Sequence, residues 1–510
     1  MPTEKYGHIF LGVDYASPPH ELLRSALADA SNIVPDERGL PKGRGGSSKL
    51  SSTSLANAIT SFHEFKSGST TYKLCSYSTK IAYYASGTGL FTDSNTGLTS
   101  GKMFQWVNFA GKAIGVNEGS NNPQYWSATD TYGDLAGSPT KGLCIAEWSN
   151  RVWLGGNSTD VALLTASHLN DPTTWTTGTA TQGVSQTVGD SKDPITGLFG
   201  YFDLLLVGKR NNIYKVYGSP ATDALTLSIE PIYSKSTDNI GFTSQWAITQ
   251  VGNDVIFLDG YDIKRLSGIQ QYGDVEYTSI IPHLGGYLKD IADADYLKYT
   301  HFFHYKKEQQ IWVSIPTGAS TRYVFVLDYK FKNETGRYAF YPMGSLVVNC
   351  FGGVESGSTT NMYYGDRTGY VRLLDTGNND DTSAISRYFV TMVSGNDIKE
   401  GVIDRHEYRK DFINTEAFFK SEQATLTMTP YYALNLMDSA QVRTSGNYTS
   451  LGAETVSSWS GTGIYTKRIP LRGLAGNTLA LKWLHSATDQ NFTLYPSSVS
   501  FNYKSKNRIT

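Results

Sequence analysis

The chain of 510 residues has little that would anchor it in a membrane or cross-link it. No stretch approaches the roughly 18 consecutive apolar residues of a membrane-spanning helix. The three cysteines, Cys75, Cys144 and Cys350, are far apart in sequence and form no CxxC pair. Their spacing therefore indicates neither a disulfide framework nor a zinc site, and we expect three buried thiols in strands.

Charge is also scarce. Asp, Glu, Lys and Arg make up 18% of the residues, and the formal net charge is −2, whereas charged residues are about 25% of an average domain. No block of Lys or Arg forms a basic patch that would bind the phosphates of a nucleic acid. This disfavours a tight nucleic-acid binder, but it is compatible with a protein past which DNA moves without binding. The opening MPTEKYGHIF lacks the basic and apolar segments of a signal peptide, so we expect synthesis in a reducing cytoplasm.

What the chain does contain is a repeat. One sequence pattern recurs along the chain: a polar turn, a short apolar-aromatic strand, a second turn and a second strand. Its copies are Ala58–Ser86, Ala110–Thr129, Trp148–Ala166, Tyr201–Gly218, Val251–Gly268, Tyr305–Tyr329 and Thr359–Gly377. Self-similarity at roughly 40–50 residues is typical of propeller blades of about four strands each.

The repeat predicts an all-β protein with a β-propeller of about seven blades; six or eight blades, or a sandwich of the same strands, stay open. Strands such as Leu204–Val207, Val255–Leu258 and Ile311–Val313 are apolar without alternation. That pattern suits a sheet covered on both faces, as when each blade packs between two neighbours.

The two ends of the chain differ from the repeat. Residues 1–57 predict an arm, in which HELLRSALADASNIV (His20–Val34) has helical spacing and Gly39–Ser52 has too much Gly, Pro and Ser for regular structure. We expect this arm to be extended and docked on the rest of the protein.

The propeller is expected at residues 58–378 and a β-sandwich at 379–510. Alternation of apolar and polar residues, as in TLTMT and LALKWL, is typical of strands with one covered face. The predicted sandwich strands are Arg387–Val393, Glu407–Ile413, Ala424–Tyr432, Tyr465–Leu471, Thr478–Leu484 and Phe492–Tyr503.

Candidate chemistry is sparse along the whole chain. Six aspartates lie beside predicted strand ends, namely Asp203, Asp254, Asp259, Asp328, Asp366 and Asp375. A hydrolytic propeller would need carboxylates that converge, but turn aspartates that bond their own backbone explain these positions, and the sequence brings no two together. Ser167–Trp175 (SHLNDPTTW) superficially resembles the Asp-box turn of sialidase propellers, yet it lacks the glycine and occurs once.

Two further patterns also indicate no site. His301 and His304 stand three residues apart on a predicted strand and therefore face opposite sides, so we do not expect a shared metal. GRGGSSK (Gly43–Lys49) lacks the GK[ST] ending of a phosphate loop. We accordingly assign no catalytic, cofactor-binding or metal-binding residues and expect no enzymatic activity.

With arm, propeller and sandwich in that order, the chain resembles the hub or nozzle proteins of short-tailed bacteriophages, of the tail tubular B and DNA-stabilisation tail hub types. The segments that carry the resemblance are Ala26–Gly46, Ala58–Phe65, Pro194–Gly218, Leu169–Trp175 and Tyr465–Ser486. The chain departs from many relatives at Gly43, where they have a bulkier residue or proline.

The resemblance implies a structural protein of the virion tail that forms a homohexameric ring around the DNA exit channel. It implies attachment to a head-to-tail adaptor or portal-proximal ring, with tail fibres or a needle as further candidate partners, and assembly into virions after synthesis in the host cytoplasm. The alternatives are a receptor-recognition propeller that binds or hydrolyses glycans, and a scaffold for proteins of the host cell.

Overall fold

Strands make up nearly all the regular structure of the chain, which we analysed as a computed structural model. The structure describes residues 2–9, 11–128, 131–178, 182–218, 227–232, 239–267, 276–332, 336–394, 408–423, 425–457 and 463–506. Its first seven strands lie in the N-terminal arm: β1 (Thr3–Tyr6), β2 (Gly12–Val13), β3 (Ala26–Leu27), β4 (Asp29–Ser31), β5 (Ile33–Pro35), β6 (Pro41–Gly43) and β7 (Ser47–Lys49).

Seven antiparallel blades follow within the described residues. The first four are β8–β11 (Ile59–Ser67, Thr70–Tyr77, Lys80–Ala85, Leu90–Asp93), β12–β15 (Gln105–Phe109, Lys112–Val116, Gln124–Ala128, Thr131–Asp134), β16–β19 (Cys144–Trp148, Arg151–Gly155, Leu163–Ala166, Val184–Thr187) and β20–β23 (Ile195–Tyr201, Leu204–Lys209, Ile213–Tyr217, Ser228–Pro231). Blade five consists of β24–β27 (Ile248–Val251, Asp254–Asp259, Asp262–Ser267, Glu276–Ser279), and blade six is built on β28–β31 (His301–Tyr305, Gln310–Pro316, Arg322–Asp328, Ala339–Pro342). Blade seven is built on β32–β34 (Cys350–Ser356, Thr359–Gly365, Val371–Leu374). Two further strands, β35 (Asn379–Asp380) and β36 (Ser383–Ala384), extend the sheet of blade seven.

The blades form a closed ring. First strands of successive blades lie side by side around the axis, and β32 of blade seven lies beside β8 of blade one. Blade seven takes its fourth strand from the arm, since β7 pairs antiparallel with β34. The chain then runs from this outer strand into β8, so residues 47–67 join the last blade to the first.

The predicted propeller is confirmed, with seven blades. Each sequence copy contains the second and third strands of one blade; Thr129 and Gly268, the last residues of two copies, lie outside the described residues. Leu204–Val207 and Ile311–Val313 are buried on both faces, as their apolar pattern predicts. Cys75, Cys144 and Cys350 are buried free thiols, as expected.

The C-terminal region is a sandwich of two sheets. Its strands are β37 (Arg387–Val393), β38 (Tyr408–Ser421), β39 (Thr425–Leu434), β40 (Thr449–Ser450), β41 (Glu454–Ser457), β42 (Ile464–Pro470), β43 (Ala475–Gly476), β44 (Leu479–His485) and β45 (Phe492–Lys506). The six predicted strands are all present; Glu407 and Ala424, the first residues of two of them, lie outside the described residues. Phe419 packs edge-on against Trp483 of the facing sheet at 5.1 Å between ring centroids.

Helices are few and short in the part of the chain that the structure describes. The two α-helices are α1 (Tyr287–Ile291), between blades five and six, and α2 (Ser439–Arg443), in the sandwich. Single 3₁₀ turns occur at Pro19–Glu21, Pro282–Leu284, Leu297–Tyr299, Lys306–Glu308 and Ser445–Asn447.

The arm is woven through both larger units. Strands β1, β5 and β6 join the sandwich sheet of β38 and β45, and β4 pairs with β37 of the other sheet. Strands β2 and β3 extend blade six beyond β31, and β7 completes blade seven. The expected extended, docked arm is therefore confirmed, although its Gly-rich part contains two strands rather than irregular structure.

The helix predicted over His20–Val34 is wrong. After the 3₁₀ turn at Pro19–Glu21 the chain forms β3, β4 and β5. Strand β3 pairs in parallel with β2, and β4 hydrogen-bonds to β37, so open sheet edges satisfy this backbone more completely than an isolated helix would. Leu23, counted on the predicted apolar face, is 45% exposed.

Arg44 fixes the point where arm, propeller and sandwich meet. Its side chain is 2% exposed, and its guanidinium donates to Asn32 Oδ1 at 2.8 Å, to Ser345 Oγ at 2.9 Å and to both carboxylate oxygens of Asp380. Asn32 belongs to the arm, Ser345 precedes blade seven, and Asp380 lies in β35. A buried guanidinium must have its donors satisfied, so this cluster sets the position of the arm relative to blade seven.

A second buried guanidinium connects the same place to the sandwich. Arg387, the first residue of β37, donates to the backbone oxygens of Arg44 and Asn378 at 3.0 and 2.8 Å. The arm can approach this closely because residue 43 is glycine: a Cβ there would lie 2.4 Å from Cδ of Arg387 and 2.2 Å from Oδ1 of Asn491. The departure at Gly43 is therefore explained by the close approach of these side chains.

Replacing Arg44 tests this cluster. Arg44→Ala leaves Asp380 as a partly buried carboxylate without its cation, and it should lower the free energy of unfolding by about 3 kcal/mol or more. The measurement is equilibrium denaturation followed by intrinsic fluorescence. The matched control is Arg38→Ala, which removes an arm arginine whose side chain is 61% exposed and whose ion pair with Asp36 should contribute little. Equal losses in the two variants would contradict the assignment.

Candidate functional site

A cavity of about 530 Å³ lies where the arm, the propeller rim and the sandwich meet. The arm contributes residues 34–38 and 42–45 to the lining of this cavity. Blades six and seven contribute residues from the face where the first strand of each blade ends, and the sandwich contributes Lys420, Glu422 and Thr493. The volume is within the range of small-molecule and peptide sites. The cavity exists because the arm passes along the blade edges without filling the angle between propeller and sandwich.

The base of this junction cavity is a hydrogen-bonded chain from blade six. Trp312 Nε1 donates to Gln310 Oε1 at 3.2 Å, and Gln310 Nε2 donates to Asp328 Oδ2 at 3.2 Å. The backbone N–H of Lys330 donates to Asp328 Oδ1 at 2.9 Å. Burial raises the pKa of Asp328 to about 6, because desolvation outweighs these hydrogen bonds.

The mouth of the junction cavity carries charges of both signs. Arg38 pairs with Asp36 at 3.3 Å between Nη2 and Oδ2, and Lys42 pairs with Glu422 at 3.2 Å between Nζ and Oε1. Arg38, Lys42 and Glu422 are each partly exposed to solvent, so each pair adds little to stability. Mixed charge around the mouth suits a polar protein segment better than a ligand of one sign.

The six predicted aspartates do not converge on one place. Asp366 accepts hydrogen bonds from the backbone of its own turn, at Thr368 and Tyr370, as predicted for turn aspartates. Asp254 and Asp259 instead accept from the side chains of Ser267 and Lys264.

Of the remaining three aspartates, Asp203 is an exposed turn residue, while Asp328 and Asp375 both line the junction cavity. Asp328 is 1% exposed and already hydrogen-bonded, and Asp375 faces Lys307 at 3.8 Å. Their carboxyl groups are thus engaged with protein partners.

The SHLNDPTTW turn is a local structural motif. Asp171 accepts from the backbone and hydroxyl of Thr173 and from the hydroxyl of Thr174, and these hydrogen bonds lower the pKa of Asp171. Trp175 Nε1 donates to the backbone oxygen of Pro172 at 2.9 Å. Both side chains thus stabilise the turn itself.

His301 and His304 have separate surroundings. The His301 ring packs edge-on against Phe351, whereas His304 shares a 2.9 Å hydrogen bond with the hydroxyl of Tyr329. Burial lowers the pKa of His301 to about 4 and also lowers the pKa of His304. Among the described residues no cluster of three His, Cys, Asp or Glu side chains is arranged to hold a metal ion.

The propeller axis is bridged by side chains from opposite blades. Trp246, before blade five, donates from Nε1 to the backbone oxygen of Phe104, before blade two, at 3.1 Å. Tyr299, before blade six, donates to Oε2 of Glu118 in blade two at 3.1 Å. Blades five and six are not neighbours of blade two in a ring of seven, so both bonds cross the axis.

Apolar packing reinforces this bridge. Trp246 stacks on Tyr299 at 6.1 Å between ring centroids and joins a buried cluster with Met103. Burial and the Glu118 carboxylate raise the pKa of Tyr299 to about 12, so its hydroxyl remains a donor. Side chains therefore span the axis at the face where the first strand of each blade begins, which we call the upper face.

Sequence reasoning missed the residues that organise the junction and the axis. GRGGSSK was rejected as a phosphate loop and assigned to the extended arm, but no role was predicted for Arg44, the arginine that is buried at the junction. The close spacing of glycines around one arginine was the available signal, because it permits close backbone approach. Trp246 and Phe104 are 142 residues apart, and no local pattern connects them.

No family model matches the chain, and neither does any curated protein. Solved structures with a similar course include virginiamycin B lyase from Staphylococcus aureus, at 10% identity and a TM-score of 0.42, covering 64% of this chain and 97% of that one. The Cps50 (Swd1) β-propeller domain of Myceliophteria thermophila has 10% identity, coverage of 66% and 100%, and a TM-score of 0.41. The N-terminal domain of Nup159 has 9% identity, coverage of 68% and 98%, and a TM-score of 0.41.

These similar structures include one enzyme and two other propellers. Because a shared fold does not imply a shared function, none of them shows what this chain does. In the described residues, no helix is long and apolar enough to cross a membrane.

The pH dependence of stability tests the base of the junction cavity. Asp328 has a folded-state pKa of about 6, above its unfolded value of about 3.9, so the native state holds this proton more tightly. The contribution of Asp328 is greatest below pH 4 and is lost as the pH rises to about 6. Asp328→Asn should therefore show a smaller fall of the unfolding free energy between pH 4 and 6 than the wild type.

Denaturation at half-unit pH steps measures this difference. Asp203→Asn, a change at an exposed turn, is the control and should retain the wild-type slope. An unchanged slope in Asp328→Asn would show that this carboxyl does not titrate in that interval.

Proposed function

We propose that this chain is a non-catalytic structural subunit of a short phage tail, a hub or nozzle component that assembles as a homohexameric ring below the adaptor. The observation that carries the proposal is the weaving of the arm through both sandwich sheets and two propeller blades. Such an arm makes propeller and sandwich one rigid building block, as a part that transmits force through an assembly requires. The segments that resemble tail hub proteins include Ala26–Gly46, which contains Arg44.

The closed axis defines where DNA would pass. Because Trp246 and Tyr299 bridge the axis, the channel of a single propeller is not an open path. In the proposed ring, the conduit is bounded by several copies around a common axis. Closed rings of this type need two different, complementary faces on each subunit. The low charge fraction of 18% suits a wall along which DNA slides, since each phosphate contact would add friction.

Electron microscopy of the purified protein, alone and with the adaptor of the same virion, tests the proposal. We expect rings with six-fold symmetry and labelled protein in purified virions. The Arg44→Ala variant should form fewer rings, because a loosened arm no longer fixes the sandwich relative to the propeller. The Arg38→Ala variant should assemble as the wild type does.

Two outcomes would contradict the proposal. One is a protein that stays monomeric with the adaptor and is absent from virions. The other is release of reducing ends from host polysaccharide by the wild-type protein, which would favour a glycan-hydrolysing receptor-recognition propeller instead.

A further inference from the structure

Two arginines lie together at the upper face where the ring closes. Arg322 is the first residue of β30 in blade six, and Arg367 lies in the turn between β33 and β34 of blade seven. Arg322 Nη2 donates to Asn349 Oδ1 at 3.1 Å, and the backbone N–H of Asn349 donates to Gly365 O at 2.8 Å. This chain of bonds places the Arg322 guanidinium beside the turn that carries Arg367.

Neither arginine has a carboxylate partner among the described residues. Arg322 bonds only to neutral oxygens, those of Asn349 and the backbone of Tyr299, and its Nε is buried without a hydrogen bond. Within the same described ranges, Arg367 is half-buried and its side chain makes no hydrogen bond or ion pair. Burial, with the nearby Arg367 charge, lowers the pKa of Arg322 to about 10, which still leaves it charged at neutral pH.

The nearest carboxylates are already committed elsewhere. Asp366 accepts from Arg372 Nε at 2.7 Å and from its own turn. Glu118 lies 3.5 Å from Lys102 Nζ and 3.7 Å from Lys298 Nζ, and it accepts from Tyr299. Two partly buried like charges without a counterion repel each other and destabilise the fold, so an anion from outside the chain would compensate them.

We propose that Arg322 and Arg367 form a binding site for a phosphate oxyanion at the upper face of the propeller. A guanidinium offers a planar fork of donors that matches the oxygens of a phosphate group, and the uncommitted fork of Arg367 supplies such donors, while Arg322 adds a second positive charge beside it. Lys298, 57% exposed, adds positive charge on the same face. Inorganic phosphate and the phosphodiester of a nucleic acid share the recognised group.

Thermal unfolding and isothermal titration with inorganic phosphate test the site. Sodium phosphate should raise the melting temperature of the wild-type protein above that in sodium chloride at equal ionic strength and pH. Arg367→Gln should abolish that rise and weaken phosphate binding by about tenfold or more, the effect of losing a charge-assisted contact. In chloride alone, Arg367→Gln should melt above the wild type, because the uncompensated repulsion with Arg322 is gone.

The control is Arg210→Gln, which removes an exposed arginine of blade four on the same face and should leave the phosphate effect intact. Arg322→Lys keeps the second positive charge beside Arg367 and should therefore retain more phosphate binding than Arg367→Gln does. A second experiment uses the oligonucleotide dT12 as the probe. If dT12 binds while inorganic phosphate does not, and Arg367→Gln abolishes that binding, the group that the site recognises is the phosphodiester of a nucleic acid. The site is overturned if neither probe acts differently from chloride, or if Arg210→Gln lowers the effect as much as Arg367→Gln.

Discussion

The buried guanidinium of Arg44 is the interaction on which the arrangement of the protein depends. Its partners come from three separate segments: Asn32 in the arm, Ser345 before blade seven and Asp380 in β35, which extends blade seven. A charge buried without such partners would cost several kcal/mol, so the arm has one favourable position. Arg387 binds the backbone oxygen of Arg44 and brings the first strand of the sandwich to the same place.

Ring closure and sandwich formation therefore depend on one segment. Strand β7 completes blade seven by pairing with β34, and β1 pairs with β45 near the other end of the chain. Pairings of such long sequence separation form late in folding, because the entropy of closing the loop must be offset first. The arm should consequently dock after the blades have formed, and its docking connects the stability of the propeller with that of the sandwich.

The sequence predicts those parts of the fold in which a local pattern reflects the surroundings. Strand β37, at Arg387–Val393, has the bounds that alternation predicts, and the apolar Leu204–Val207 is buried on both sides. The segment His20–Val34 fails for the opposite reason: its spacing favours a helix, but strands β2 and β37 offer partners that only the folded protein contains. Propensity is a weak prior wherever an open sheet edge competes with a short helix.

The site residues were harder to predict, because their roles arise from burial and from contacts across the ring. Asp328 looks like any other aspartate at a strand end, and only its burial in the folded protein raises its pKa, against the lowering effect of the hydrogen bond from Gln310. Trp246 looks like a core aromatic, yet its indole N–H reaches Phe104 across the axis. The indole N–H of Trp246 and the hydroxyl of Tyr299 thus connect blades that are not neighbours in the ring. At the upper face, Arg322 and Arg367 lack carboxylate partners among the described residues, so their charges are balanced only when an anion from outside the chain binds there.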